Sequence, residues 1–134
     1  MTPSRNIPSV GSETTAPVHI LSVGKNPSLM SSRTLLLRAA GYRVEEAYTV
    51  DKAVKLVEED FIDAMLICHT VSRNDQQILI STVRRKRSSM PVLCLRSYAY
   101  ESVPRTCIAV DNAPEAMLNT LRNAVISAGP DSIA

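Results

Sequence analysis

The side chains able to do chemistry in this chain are few and widely spaced. Cys68, Cys94 and Cys107 are odd in number and form no C-x-x-C pair, so a disulfide framework is not expected. Cys68 and Cys94 end or interrupt apolar runs, IDAMLIC and PVLCL, where a cysteine commonly serves as a small buried hydrophobe. Cys68 is followed by His69, and a cation such as Lys25 or His69 would activate a thiol by lowering its pKa. A Cys beside a His in sequence does not establish a triad, however, and the buried reading is preferred. Lys25, His69 and Arg96 would suit a phosphate or carboxylate if the fold brought them together. The plainer reading leaves each one solvated or locally hydrogen-bonded. Arg84, Arg85, Lys86 and Arg87 form the densest charge cluster. It could meet nucleic acid or an acidic protein face, but basic residues also suit the end of a helix through its dipole. Tyr98, Tyr100 and Asp111 offer a candidate partner surface, since tyrosine combines a large contact area with a polar tip. Neither a dinucleotide glycine fingerprint nor a P-loop is present, and the single GKN fragment is too short to specify a nucleotide site. No catalytic residue set is assembled, so no enzyme activity, no cofactor and no metal site are expected.

These residues fall where strands end. VHILSVG, closed by Gly24, Asn26 and Pro27, suits a buried strand followed by a turn. A helix opening at Pro27 or Ser28 would carry Leu29, Arg33, Leu36 and Ala40 at helical spacing and stop at Gly41. YRVEEAY is a weaker strand with Val44 and Ala47 inward, and TVDKAVKLVEEDF is a helix with an apolar stripe of Val54, Val57 and Phe61, capped by Thr49 or Asp51. Residues 62–68 form a nearly continuous apolar run, as expected of a strand buried on both faces. A helix from about Asn74 to Lys86 presents Ile78, Leu79 and Val83; PVLCL and TCIAV are further strands; and Asn112 with Pro114 opens a last helix carrying Met117, Leu118, Leu121 and Val125. Residues 97–104 allow one or two helical turns before Pro104. Strand and helix alternate throughout, which predicts a single α/β domain: a doubly wound, five-stranded parallel sheet with helices on both faces. Ligands in such sheets sit beyond the carboxyl ends of the strands. That places Gly24, Lys25, Asn26, Cys68, His69, Arg96, Ser97, Asp111 and Asn112 at the end to inspect.

Composition sets the outer bounds. The chain has 134 residues, 45% hydrophobic and 21% charged, with a formal net charge of +2, so one core is expected. Bulk electrostatics do not suggest a nucleic-acid binder. No uncharged apolar run approaches the ~18 residues of a membrane span, and residues 1–17 lack the apolar stretch of a secretory signal, so a cytoplasmic location is expected. Residues 1–16 are rich in Ser, Thr, Pro and Gly and read as a tail, 17–128 as the domain, and 129–134 as a second tail.

The order ILSVGKNP, RTLLLRAAGYRVEEAYTVDKAVKLV, DAMLICHTV, MPVLCLRS resembles the receiver domain of two-component response regulators over roughly residues 18–127. The resemblance implies a flavodoxin-like, CheY-like fold. In that family the first strand ends in an acidic pair that helps to hold magnesium, and those places fall on Gly24 and Lys25. The phosphoacceptor aspartate closes the third strand, five residues after the aspartate matching Asp63, and that place falls on Cys68. The switch threonine or serine falls on Arg96, beside Ser97, and the fifth-strand lysine has no clean match, with Asp111 nearest. The stretch from Arg96 to Thr106 is shorter than usual, so the fourth helix is expected to be short or absent. The resemblance therefore implies a regulatory or protein-interaction domain unable to carry out magnesium-dependent phosphorylation. Its partner would be another protein, with a homodimer one arrangement open to it. The alternatives are an anion-sensing relative using Lys25, His69 and Arg96, and a basic scaffold binding nucleic acid through residues 84–87.

Overall fold

A computed structural model describes residues 17–96, 107–111 and 113–127. The elements run β1 (His19–Val23), α1 (Pro27–Ala39), β2 (Arg43–Ala47), α2 (Val50–Glu59), β3 (Ala64–Ile67), α3 (Arg73–Lys86), β4 (Val92–Arg96), β5 (Ile108–Asp111) and α4 (Pro114–Ser127). The strands form one parallel sheet in the order β2-β1-β3-β4-β5, the doubly wound arrangement that alternating strands and helices predict. The expected tails, the short segment after Arg96 with Ser97, Tyr98 and Tyr100, and Asn112 lie outside the described residues.

Successive strand residues point to opposite faces, and both faces are covered. Leu21, Val23, Met65, Ile67, Val92 and Cys94 pack under Ala53 and Val57 of α2 and Leu79, Ile80 and Val83 of α3. Ile20, Leu66, Leu93, Leu95 and Val110 pack under Met30 and Leu37 of α1 and Met117 and Leu121 of α4. This two-sided burial explains why β3 reads as an unbroken apolar run and why β1 and β4 are largely apolar.

Caps set the helix starts. Asn26 Oδ1 accepts from Leu29 N–H, Thr49 Oγ1 from Lys52 N–H and Ser72 Oγ from Asp75 N–H, each at 3.1 Å, satisfying donors that no helix can pair internally. α1 ends on Gly41 at φ +99. There Tyr42 N–H bonds Leu37 O and Gly41 N–H bonds Arg38 O, a Schellman closure that favours glycine.

Three inner faces differ from their sequence patterns. In α1 the buried residues are Met30, Arg33, Thr34 and Leu37, while Ala40 is exposed and Leu36 half-buried. The helix starts at Pro27 as expected, but the face it lays on the sheet, with Met30 and Leu37 in the core, is rotated from the expected stripe. Phe61 does not join the α2 stripe: the helix ends at Glu59, Asp60 is extended, and Phe61 is 68% exposed. In α3, Ile78 faces outward while Gln76 and Thr82 are buried. Each of those polar side chains donates to a backbone carbonyl, Gln76 Nε2 to Val71 O at 3.1 Å and Thr82 Oγ1 to Ile78 O at 3.0 Å, which offsets the cost of burial.

Candidate functional site

β1 and β3 are neighbours, with Val23 opposite Ile67, so the residues that follow them, Gly24 and Cys68, emerge side by side at the carboxyl edge of the sheet. Cys68 N–H donates to Val23 O at 2.8 Å, and Gly24 N–H to Ala47 O at 3.1 Å, carrying the pairing one residue beyond each strand. Gly24 is hemmed in: a Cβ there would meet Met30 Sδ at 2.7 Å and Cys68 Sγ at 2.8 Å.

The phase of α1 brings Met30 and Arg33, both on its buried face, over this edge of the sheet. Arg33 folds back so that Nη1 donates to Cys68 Sγ at 2.7 Å. Met30 Sδ lies 3.7 Å from Cys68 Sγ and 3.7 Å from Ser22 Oγ. Arg33 is only 6% exposed and Cys68 only 1%. Burial pushes the Cys68 thiol above its ordinary pKa, and the Arg33 charge and hydrogen bond offset this in part. The sulfur is therefore a neutral, enclosed thiol. Beside it, on β2, Glu46 accepts from the Thr34 hydroxyl and from Tyr48 Oη, the latter at 3.0 Å.

The other candidate cations have separate surroundings. Lys25 is exposed, and its backbone N–H donates to Thr70 Oγ1 at 3.0 Å. His69 is half-buried. Arg96 pairs with Asp111 at 2.9 Å across the β4–β5 register, and its buried Nε has no hydrogen-bond partner among the described residues. In the basic cluster, Arg84 Nη1 donates to Met90 O at 2.7 Å, and Arg85 Nη2 to Thr82 Oγ1 at 3.5 Å. Lys86 lies 3.8 Å from Glu58, and Arg87 sits 4.2 Å above the Phe61 ring. All four basic side chains thus have contacts within the molecule.

Arg33 and Met30 were absent from the candidate residues, although one signal pointed to Arg33. It is the one charged residue among Leu29, Arg33, Leu36 and Ala40 at helical spacing, and buried charges demand partners. Among the described residues no cluster of three or more His, Cys, Asp or Glu could hold a metal ion, and no helix is long and apolar enough to cross a membrane.

No protein-family model and no curated protein matches the chain by sequence. Solved structures do match in three dimensions. A CheY-like receiver domain protein from Methanospirillum hungatei superposes with TM-score 0.74 at 18% identity, over 84% of this chain and 97% of that one. The chemotaxis response regulator CheY4 of Vibrio cholerae gives 0.70 at 20% identity, over 81% and 99%. The receiver domain of a sensor histidine kinase from Pseudomonas aeruginosa, solved with magnesium coordinated in its active-site cleft, gives 0.71 at 21%, over 82% and 98%. The chain has the receiver fold of two-component signalling proteins, with its sheet order, its helices on both faces and nearly the full length of those domains.

Proposed function

We propose that this chain is a regulatory or protein-interaction domain of a two-component-type system that works without accepting a phosphoryl group. The observation that carries this reading is the Arg33 guanidinium on the Cys68 thiol at 2.7 Å, at the place where the resemblance puts a phosphoacceptor carboxylate. Magnesium requires a shell of hard oxygen ligands, and Gly24, Lys25, Cys68, Met30 and Arg33 do not supply one. A dication held about 4 Å from a guanidinium would also face repulsion on the order of 8 kcal/mol at an effective dielectric near 20. Displacing Arg33 would cost its enclosed packing. The thiol offers neither the carboxylate that forms an acyl phosphate nor a ready anion.

Output would then be binding rather than turnover, through a protein partner meeting the β4–β5 end where Asp111 is exposed. The anion reading is weaker because Arg96 is engaged with Asp111. The nucleic-acid reading is weaker because Arg84 is engaged with Met90 O and Arg87 with the Phe61 ring, which leaves Arg85 and Lys86 as the exposed pair of the cluster. Incubation of the full chain with magnesium and a small acyl phosphate, followed by intact-mass measurement, is expected to show no acid-labile phosphate adduct. A stoichiometric adduct would reject the proposal.

A further inference from the structure

Two thiols from different strands meet on the face of the sheet that α2 and α3 cover. Cys94 lies within β4, and Cys107 immediately precedes β5. The pairing of Leu93 with Ile108 and of Cys94 with Ala109 sets Cys94 and Cys107 on the same face, where both pack with the α2–α3 core. Their Sγ atoms are 2.8 Å apart, 13 positions apart in sequence, closer than the ~3.5–4.0 Å of ordinary packing contacts. Cys94 and Cys107 are thiols, not joined in a disulfide. Sequence spacing concealed the pair, because parallel strand register, not a short motif, brings them together.

The two sulfurs are not equivalent. Cys94 is fully buried, whereas Cys107 is only partly so and is the one a small reagent reaches first. The Cys94 thiol beside it holds the Cys107 thiol below its ordinary pKa against the opposing effect of burial, and positive charge from Arg73 and Arg84 adds to the lowering. The same contact, with burial, pushes Cys94 upward. Of the two, Cys107 is the more readily ionised and Cys94 the one that holds its proton, the division of labour between an attacking and a resolving thiol.

We propose that Cys94 and Cys107 form a reversible dithiol site that reacts with low-molecular-weight disulfides and closes to an intrachain disulfide. The Cys107 thiolate attacks one sulfur of the reagent disulfide, forming a mixed disulfide and releasing one small thiolate. Cys94 Sγ then attacks Cys107 Sγ, breaking the mixed disulfide; its proton passes to the departing second small thiolate. The protein loses two protons and two electrons, and the reagent leaves as two thiols. The new bond ties β4 to the start of β5 and so restrains the connection between them. Nothing in this step depends on the Cys68 pocket.

The test equilibrates the full chain in mixtures of reduced and oxidised glutathione, quenches with acid, alkylates free thiols and reads intact mass and a peptide map. As the oxidised share rises, alkylation is expected to fall from three thiols to one, with the mass of two hydrogens lost and a peptide joining Cys94 to Cys107. Reduction by dithiothreitol should reverse the change. Cys94→Ser should stop at a glutathione adduct on Cys107, and Cys68→Ser should form the bond as the parent does. Three alkylated thiols at every ratio, a bond involving Cys68, or a bond between two chains would overturn the proposal. The peptide map of the parent chain decides even if a variant fails to fold.

Discussion

At the scale of residues, the pocket is defined by what fills it. Gly24 leaves room that Met30 Sδ and Cys68 Sγ occupy, and Arg33 sets a buried charge against that sulfur. Gly24→Ala should therefore overpack a closed site and cost about 1–3 kcal/mol in denaturant unfolding; an unchanged midpoint would show that Met30 yields freely. Cys68 gives a pH signature. Its thiol is raised above the usual 9.0 by burial, so below pH 9 both folded and unfolded chains hold the proton. Above it the unfolded chain releases the proton first, and the thiol's contribution to stability is lost until the folded thiol itself titrates. Stability should fall with a slope of up to about 1.4 kcal/mol per pH unit from this group, and Cys68→Ser should be flatter than the parent between pH 8 and 10. Equal slopes would contradict an enclosed, protonated thiol. What sequence offered at this scale was the residue types at the strand ends. It did not show that a side chain from α1 returns to cover Cys68, because that depends on helix phase and on tertiary approach.

At the scale of elements, local rules succeeded where chain punctuation was strong and failed where polar groups took inward places. Pro27, Thr49 and Gly41 mark helix ends correctly, since a first-position proline, capping and positive φ are local demands. The expected stripe of α1 includes the buried Arg33 but not Met30, Thr34 and Leu37, and that of α3 omits Gln76 and Thr82, whose burial with hydrogen bonds hydrophobicity alone does not anticipate. Phe61 was assigned to the core by spacing, yet it lies past the end of α2 under Arg87. An exposed cation–π contact is worth about 0.5–1 kcal/mol, so Phe61→Ala should cost about that little. Leu79→Ala, at a fully buried position of α3, should cost about 2–5 kcal/mol. Equilibrium unfolding of the two variants checks the contrast, and a Phe61→Ala loss matching that of Leu79→Ala would return Phe61 to the core.

At the scale of the whole molecule, the alternation of apolar strands and amphipathic helices was enough for the sheet and its connection rules, and the match to solved receiver domains agrees with it. Function was less legible, since the same fold serves with and without its chemistry, and the difference rests on a few side chains at one edge. Under the proposed function the two scales meet at one edge, where a receiver fold keeps its strand-end site closed with its own Arg33. A crystal structure of the full chain grown in high magnesium tests this most directly. The account predicts Arg33 Nη1 on Cys68 Sγ with no metal bound beside Gly24. An octahedrally coordinated magnesium at that edge, with Arg33 swung out to solvent, would contradict it.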